Sequence, residues 1–355
     1  MKGMDALNIL VLGVGGNVSQ GILKALALSR VPHKVIGACI SPLALGLYTV
    51  DKSYVSPTVY DPAFPKWILN VCEKEGIHVI LSGVEPVLAV LSRNAEVIRQ
   101  ETGAISIVSD PSTLSFAIDK LATCQWLESH GFNYPRYAPS WNLDALERLV
   151  EECGYPLIAK LCAGKGSHGL IEIHEPSDLE YVSGKAGYVV QELLGSSDTE
   201  YTVGCFSDRL GKVRGIISMR RELLQGTTYR AEVGEFPEIK AEACRIAAAL
   251  KPMGPCNIQL RISDGKPTCF EINMRFSGTT PMRARLGFND VEATLRHYVL
   301  GEEIEDLPLI TKGIILRYWN EMYIDQDAYA VLRDRGLLDD PGRFDLLVED
   351  YGMKR

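Results

Sequence analysis

Two neighbouring stretches of the chain carry side chains suited to binding a metal ion. They lie within residues 255–281, PCNIQLRISDGKPTCFEINMRFSGTTP, where the runs Cys256–Ile262 and Thr268–Met274 each alternate polar with apolar residues. That alternation has the period of a half-buried strand. The Asp-Gly pair and the proline between the runs are turn formers, so the sequence predicts a β-hairpin.

One face of this hairpin collects polar side chains. If the strands pair symmetrically about the glycine of the turn, Gln259 faces Glu271 and Asn257 faces Asn273, with Cβ atoms about 4.5–5.5 Å apart. Arg275 follows one step further along. A carboxylate among amides suits a hard cation such as Mg²⁺, although a merely polar strand surface is the alternative. The other face carries the side chains expected in the core: Cys256, Ile258, Leu260, Phe270, Ile272 and Met274.

A lysine and a glycine-rich loop form a second candidate site, for phosphate. Tyr155–Cys162 is strand-like and places Lys160 among apolar neighbours, which is costly unless the ammonium meets an anion or reaches solvent. The loop AGKGSHG follows, with Gly164, Gly166 and Gly169, and glycines let backbone N–H groups approach phosphate oxygens closely. The spacing differs from that of a P-loop, which disfavours a Walker-type NTPase. An ordinary hairpin loop is the alternative.

The N-terminal region predicts a βαβ unit. Asn8–Leu12 has the composition of a buried parallel strand, a glycine turn opening a helix follows it, and Val35–Ile40 predicts the next strand. A nicotinamide dinucleotide site is one interpretation, because helix N-termini after such turns attract phosphate. Against it, Val18 stands where the third glycine of the motif belongs, and Ser41 stands where an acidic residue would hold the ribose. A dehydrogenase is therefore disfavoured.

The composition restricts the function classes. At 355 residues with a net charge of −8, the chain has room for two or three domains and lacks the basic surface expected of a nucleic-acid-binding protein. No apolar run approaches the roughly eighteen residues of a membrane-spanning helix, and the N-terminus does not resemble a secretory signal. The 9 cysteines lack CxxC spacing, which is typical of reduced thiols in a cytoplasmic protein.

Periodicity also predicts the elements that position these motifs. Helices are expected at Ser112–His130, Asn142–Cys153 and within Pro237–Pro252, and a strand at Tyr188–Leu194. Residues 220–238 are interpreted as a loop-rich segment with exposed positive charge. No chemistry can be assigned to the C-terminal stretch beyond residue 306.

The sequence NIQL…CFEINMRFSGTTP resembles the metal-binding hairpin of the ATP-grasp superfamily, particularly its carbamoyl-phosphate-synthetase-like branch, which reads Q…E-x-N-x-R. The resemblance implies an α/β fold in which an N-terminal Rossmann-like pre-ATP-grasp domain precedes a two-lobed ATP-grasp fold. The implied domains are 1–111, 112–190 with the lid, 191–306 with the metal hairpin, and a C-terminal extension, 307–355.

The resemblance also implies roles for individual residues around ATP and Mg²⁺, with Mn²⁺ as an alternative ion. The metal ligands would be Gln259, Glu271 and Asn273, and the catalytic side chains Arg275 and Lys160. Lys165 and His168 could assist or lie in solvent. The implied nucleotide contacts run along one cleft, with Glu200 on the ribose and the backbone near Glu192 and Leu194 on the adenine: Lys120, Lys160, Gly164, Gly166, Ser167, Gly169, Gln191, Glu192, Leu194, Glu200 and Asn257.

The function implied by this resemblance is that of an ATP-dependent ligase. It would phosphorylate a small-molecule carboxylate and join it to an amine, with no nucleic acid or membrane as partner. Paired protomers are common in the family, so a homodimer is compatible with it. A catalytically silent ATP-binding regulatory or assembly module is the alternative function.

Several residues leave substrate recognition open. Glu85 lies where α/β sheets usually bind ligands, but a charge favoured by a helix N-terminus is the better explanation. The candidates to clamp a substrate carboxylate, with surface salt bridging as the alternative, are Arg220, Arg221 and Arg230. The sequence also departs from the family pattern at three positions. Gln259 stands where many members have an acidic residue, Met274 where proline is common, and Gly278 where the branch tends to have an arginine. With the short chain, the last departure disfavours carbamoyl phosphate synthesis.

Overall fold

The computed structural model describes residues 6–164, 169–307 and 312–348, and it shows the mixed α/β fold that the sequence predicts. Within these residues, no helix is both long enough and apolar enough to cross a membrane. The fold consists of a front domain around a largely parallel sheet, followed by two antiparallel sheets that enclose a cleft.

The front domain is a doubly wound sheet. Its parallel strands lie in the order β3-β2-β1-β4-β5, so the strand order reverses between β1 and β4. The central strands β1 and β4 are short, mostly apolar runs buried on both faces, as expected when helices cover both sides of a parallel sheet. The elements are β1 Leu7–Leu12, α1 Asn17–Leu26, β2 His33–Cys39, β3 Lys52–Val55, α2 Phe64–Glu75, β4 Val79–Ser82, α3 Glu85–Thr102 and β5 Ile105–Ser106.

The next lobe contains an antiparallel sheet in the order β6-β9-β7-β8. A single helix predicted over Ser112–His130 is wrong. The chain is extended at Asp119, whose carboxylate caps the second helix by accepting from the Ala122 N–H. The elements are α4 Pro111–Ile118, α5 Lys120–Ser129, β6 Tyr137–Pro139, α6 Leu143–Cys153, β7 Leu157–Leu161, β8 Ile171–Ile173, α7 Pro176–Ser183 and β9 Tyr188–Glu192.

The third sheet has the order β14-β13-β10-β11-β12-β15 and carries the hairpin. The loop-rich interpretation of residues 220–238 is wrong, because most of that segment forms the end of β11 and the whole of β12. The elements are β10 Glu200–Ser207, β11 Val213–Leu224, β12 Thr227–Val233, α8 Pro237–Leu250, β13 Gly254–Ser263, β14 Lys266–Asn273, α9 Thr280–Arg285, α10 Asp290–Thr294 and β15 Gly313–Leu316.

The C-terminal stretch returns to the front domain. Its elements are β16 Met322–Ile324, α11 Gln326–Arg335, β17 Leu337–Leu338 and β18 Leu346–Val348. Strand β17 pairs antiparallel with β3 at the edge of the front sheet, and β16 pairs with β18. The segment beyond residue 306 is therefore packed against both the third sheet, through β15, and the front sheet.

The hairpin has the predicted strand pairing at the four polar residues of the candidate metal site. Asn257 pairs with Asn273 and Gln259 with Glu271, but the register shifts by one residue between Gln259 and the turn. The shift is a β-bulge at Phe270. The prediction that Phe270 faces the core is therefore wrong: its ring turns into the cleft, and Cys269 is fully buried instead.

A buried ion pair fixes the chain that leaves the hairpin. Arg283 of α9 and Asp290 of α10 are both fully buried, with Nη2 2.5 Å from Oδ2. The guanidinium also donates to the hydroxyls of Ser277 and Thr280. Gly204 of β10 leaves room for it, because a Cβ there would lie 2.3 Å from Nη1.

Removing one partner of this pair tests its contribution to stability. We expect Asp290→Ala to lower the free energy of unfolding by about 3–5 kcal/mol, because it leaves a buried guanidinium without its counter-charge. Urea unfolding measures the loss. The double variant Arg283→Met/Asp290→Leu should recover much of it, and an Asp290→Ala protein as stable as wild type would contradict the prediction.

Candidate active site

A cleft between the second and third sheets brings most of the predicted site residues together. The cleft residues that the sequence did not single out include Arg261 and Phe270. Asn257, Asn273 and Arg275 lie on the hairpin beside the cleft instead of lining it. The predicted residues that line the cleft are Lys120, Lys160, Gly164, Gln191, Glu192, Leu194, Glu200, Gln259 and Glu271.

The glycine-rich loop is described only at its ends. Gly166 and Ser167, with Lys165 and His168, lie outside the described residues, so the predictions made for them stay predictions. Gly169 has φ +71° and packs against Leu161, where a Cβ would lie 2.7 Å from the leucine side chain. Only glycine fits both requirements, because L side chains rarely adopt positive φ.

The break at Asp119 places Lys120 in the cleft. Asp119 forms an isolated bridge with Ala163, and the backbone N–H of Lys120 donates to the Cys162 carbonyl at 2.8 Å. The Lys120 ammonium then reaches the Gly164 carbonyl at 2.6 Å. This lysine thus ties the start of the glycine-rich loop to α5.

Lys160 holds an uncompensated positive charge in the cleft. Among the described residues it has no hydrogen bond or ion pair, and its ammonium lies 5.2 Å from the Phe270 ring centre. Burial lowers the pKa of Lys160 to about 8, with the Glu271 carboxylate partly opposing the shift. A half-buried ammonium without a counter-charge is costly, and an anion bound in the cleft would remove that cost.

Two arginines surround the Glu200 carboxylate. One oxygen accepts from Nε and Nη2 of Arg221 at 2.9 and 2.8 Å, and the other accepts from Nε and Nη2 of Arg261 at 3.1 and 2.7 Å. Burial alone would raise the pKa of Glu200, but the two guanidiniums outweigh it and the pKa falls below its ordinary value. Ribose hydroxyls could bind Glu200 only by displacing one of these contacts, because a carboxylate accepts about four hydrogen bonds.

The positions of the three candidate clamp arginines differ from one another. Arg221 is buried beside Glu200 and not exposed as the sequence suggested. Arg220 and Arg230 lie at the surface and form salt bridges with Glu232 and Glu222, respectively. These contacts agree with surface salt bridging, the alternative to a substrate clamp.

The segment between the lobes contains a buried amide that lacks a partner. Gln191 is fully buried, its Nε2 donates to the Cys124 thiol at 3.0 Å, and no described group donates to its Oε1. Nearby, the Glu192 N–H donates to the Arg136 carbonyl and the Leu194 carbonyl accepts from Arg261. An acceptor oxygen buried at the cleft wall suits a ligand that carries an N–H donor.

Donor and acceptor chemistry fixes the orientation of the hairpin amides. Arg221 Nη2 lies 2.7 Å from Gln259 Oε1, and a guanidinium can only donate. Gln259 Nε2 must then face Glu271 Oε1, at 3.1 Å, and Asn273 Nδ2 donates to the same oxygen at 2.9 Å. The fourth polar residue, Asn257, is held through its Oδ1 by the Thr202 hydroxyl.

Arg275 connects the hairpin to the front domain. Its Nε and Nη2 donate to Glu85 Oε1 at 3.2 and 2.6 Å, and its Nη1 donates to the Phe276 carbonyl. Glu85 stands in the first turn of α3, where a negative charge complements the helix N-terminus, and its role as a substrate contact stays a prediction. Each terminal nitrogen of Arg275 has a second N–H, and no acceptor for it lies in the described part of the chain.

The chain matches two protein families. Residues 9–107 match the family described as PylC-like, N-terminal domain, and residues 186–322 match the family described as ATP-grasp in the biosynthetic pathway with Ter operon. The second match identifies an ATP-grasp domain within residues 186–322. The N-terminal domain is PylC-like, and the resemblance inferred from the hairpin is thereby confirmed.

Curated relatives that this chain matches are carbamoyl phosphate synthase large chains. The one from Ralstonia nicotianae is 26% identical over 308 residues, which cover 77% of this chain and 27% of the relative. The one from Methanothrix thermoacetophila is 23% identical over 308 residues, 78% of this chain and 28% of the relative. The chain therefore spans less than a third of the length of these relatives.

Solved structures with the same fold cover nearly the whole chain. N5-carboxyaminoimidazole synthetase from Staphylococcus aureus, complexed with ADP, matches with a TM-score of 0.70 at 15% identity, over 93% of this chain and 85% of that one. The biotin carboxylase domain dimer of the Hydrogenobacter thermophilus 2-oxoglutarate carboxylase, in complex with MgADP, matches with a TM-score of 0.67 at 15% identity, over 86% and 73%. The predicted fold class is confirmed.

The donors of the ATP-grasp hairpin fit one hard cation. No described residue donates to Glu271 Oε2 or Asn273 Oδ1, whereas the Gln259 oxygen is committed to Arg221. Within the described residues no group of three or more His, Cys, Asp or Glu side chains converges. A Mg²⁺ ion here would therefore depend on Glu271, Asn273 and ligand phosphate oxygens, as Mg²⁺ commonly does.

Lys160 gives nucleotide binding a defined pH dependence. Because its pKa is about 8, the ammonium loses its proton as the pH rises through that value, and phosphate binding favours the protonated form. We expect ADP affinity to fall by up to about tenfold per pH unit above this pKa. Isothermal titration at constant ionic strength measures it. Lys160→Met should bind ADP weakly, and its affinity should not change with pH. As a control, Lys212→Met removes an exposed lysine and should behave as wild type. An ADP affinity that still falls steeply with pH in Lys160→Met would contradict the assignment.

Arg221 should control how many oxygens the hairpin offers a metal ion. In Arg221→Met the Gln259 amide is free to turn its oxygen outward, so we expect Mg²⁺ to bind the ADP-loaded protein about tenfold more tightly, the scale of one added contact to a charged group. Arg261→Met is the matched control, since it removes the other guanidinium on Glu200 without touching Gln259. Equal Mg²⁺ affinities in the two variants would show that Arg221 does not withhold the amide oxygen.

Proposed function

We propose that the protein is an ATP-dependent carboxylate–amine ligase. The observation that carries the proposal is the unpaired Lys160 ammonium, which shares one cleft with the Glu271 carboxylate of the hairpin. A polyanion with a bound cation neutralises both, and MgATP is such a ligand. The reported complexes of fold neighbours with ADP and MgADP support the same assignment.

The reaction that fits this site proceeds in two displacements. An oxygen of the substrate carboxylate attacks the γ-phosphorus of ATP, and the bond to ADP breaks. The amine then attacks the carbonyl carbon of the acyl phosphate, phosphate leaves with the bonding electrons, and the nitrogen gives up a proton. Mg²⁺, when bound, spreads the charge of the phosphates. The protein needs no nucleophile of its own, because its contribution to phosphoryl transfer is mainly positional and electrostatic.

The described side chains have distinct tasks in that scheme. Lys160 offers a positive charge to the phosphates, and Glu271 with Asn273 offers oxygens to the cation. Gln191 Oε1, unpartnered and buried, can accept from the adenine amino group. Arg275 connects the hairpin to Glu85 of the front domain, and its N–H groups without a described acceptor can bind the acid or the transferring phosphoryl group.

We also propose features of the domain organisation, assembly, location and metal use of the protein. They are domain boundaries near residues 111, 190 and 306, a homodimer, a cytoplasmic location and the use of Mn²⁺ in place of Mg²⁺. Neither nucleic acid nor a membrane is proposed as a partner. The synthesis of carbamoyl phosphate is not proposed, because the chain covers only part of the relatives that carry that name.

Turnover of ATP tests the ligase proposal directly. We expect Mg²⁺-dependent ADP release that is stimulated by one member of a panel of amino acids and small carboxylic acids, and lost in Glu271→Gln because the hairpin then has no charged metal ligand. The release is measured with the full-length protein. ATP binding without turnover across a broad panel would favour the silent ATP-binding module, and failure to bind ATP would reject the site.

A further inference from the structure

Glu200 and Arg261 face each other on neighbouring strands in the wall of the cleft. The register of β10 against β13 pairs them directly, and residues paired in this way place their Cβ atoms about 4.5–5.5 Å apart on one face of the sheet. Alternation along β13 puts Arg261 on the same face as Gln259, two residues earlier. All three residues line the cleft that also contains Lys160.

The hydrogen-bonding capacity of the Glu200 carboxylate is filled by protein donors. Arg221 gives two N–H groups to Oε1 and Arg261 gives two to Oε2, and a carboxylate accepts about four hydrogen bonds. The Glu200 side chain is also only 6% exposed. A ligand hydroxyl that donates to it must first remove a guanidinium from a buried carboxylate, which leaves both charges less compensated.

Arg261, in contrast, has donors that the protein does not use. Its Nη1 gives one N–H to the Leu194 carbonyl at 3.0 Å, and its Nη2 gives one to Glu200 at 2.7 Å. Each of these nitrogens carries a second N–H, for which the described residues provide no acceptor. The side chain is 22% exposed, so a ligand in the cleft meets Arg261 before it meets Glu200.

The position of this guanidinium is fixed before any ligand binds. Besides its bonds to Glu200 and Leu194, it lies over the Phe270 ring, with Cζ 5.7 Å from the ring centre, a favourable contact between a cation and an aromatic face. A donor that is already held in place loses little conformational freedom when a ligand binds. Arg261 therefore offers preorganised N–H groups to an acceptor atom in the cleft.

We propose that Arg261 recognises the ribose of the nucleotide by donating to a hydroxyl oxygen, and that Glu200 acts through Arg261 by holding its guanidinium in position. The inference rests on the proposed nucleotide site and deepens it, because it makes the sugar hydroxyl a hydrogen-bond acceptor. The family resemblance implies the opposite role for Glu200, in which the hydroxyl donates to the carboxylate. These two roles predict different responses to the chemistry of the sugar.

ADP analogues with altered ribose hydroxyls distinguish the two roles in a binding measurement. The 2′- and 3′-deoxy forms lack both donor and acceptor, whereas the O-methyl and fluoro forms lack only the hydrogen that a hydroxyl donates. At one of the two positions we expect the deoxy form to bind wild type about tenfold more weakly than ADP, the scale of one hydrogen bond to a charged group. There the O-methyl or the fluoro form should recover part of the affinity. Isothermal titration of the full-length protein with Mg²⁺ present measures each affinity.

Substitution of Arg261 should change the order of the analogues. Arg261→Met removes the donors and frees Oε2 of Glu200, so the hydroxyl can then donate to the carboxylate, and the O-methyl and fluoro forms should bind as weakly as the deoxy form. Arg261→Lys keeps a charged donor and should keep the wild-type order at reduced affinity. Arg285→Met removes an exposed arginine of α9 and should change nothing. Binding of unmodified ADP shows that each variant is folded.

Three results would overturn the proposal. If the O-methyl and fluoro forms both bind wild type as weakly as the deoxy form, the hydroxyl is a donor and Glu200 is its acceptor. If ADP and its deoxy forms bind equally, the protein does not contact the ribose hydroxyls. If Arg261→Met keeps the wild-type order, another group recognises the sugar.

The outcome is distinguishable from failure of the ligase function. If wild type and Arg261→Met show the expected orders but no acid stimulates ADP release, the ribose assignment stands and the ligase function fails. If acids stimulate ADP release and wild type binds ADP and its deoxy forms equally, the ligase function stands and the role of Arg261 fails.

Discussion

The cross-strand pair of Gln259 and Glu271 is the interaction on which the site depends. From it hydrogen bonds run in two directions: through Arg221 to Glu200, and through the shared carboxylate oxygen to Asn273. Arg261 continues the first direction to the Leu194 carbonyl in the segment between the lobes. The metal hairpin and the opposite wall of the cleft are thus held by one network, so a change in one member alters the donors and acceptors offered by the rest.

Charge in the cleft is divided between satisfied and unsatisfied groups. The Glu200 carboxylate already has two guanidiniums, whereas the Lys160 ammonium has no carboxylate within hydrogen-bonding distance in the described part of the chain. Burial strengthens the Glu200 ion pairs and raises the energetic cost of the unpaired Lys160 ammonium, because interactions between charges strengthen as water is excluded. The consequence is a cleft whose internal ion pairs stabilise the fold and whose remaining positive charge is available to a phosphate.

The alternation of polar and apolar residues predicted the features of the hairpin that depend on neighbouring residues in the sequence. Alternation placed Gln259 opposite Glu271, and the same alternation would have put Arg261 on that face had it been followed one step further. The bulge at Phe270 could not be predicted, since a one-residue shift leaves the sequence of each strand unchanged while it turns the side chains beyond it to the other face. The partner of Arg221 was also hidden, because it depends on the pairing of β10 with β11 across many residues.

The Arg275–Glu85 ion pair links the front domain to the end of the hairpin. Arg275 comes two residues after Asn273, and its guanidinium is held by a carboxylate that belongs to α3, so its position is set by both domains together. The same interface brings Gly278 against α1 and lets Arg317 reach its carbonyl. A displacement of the front domain would therefore move Arg275 relative to Glu271. The position of Arg275 relative to Glu271 is therefore set by the contact between the two domains, because the two residues lie on one continuous segment whose end is held by Glu85.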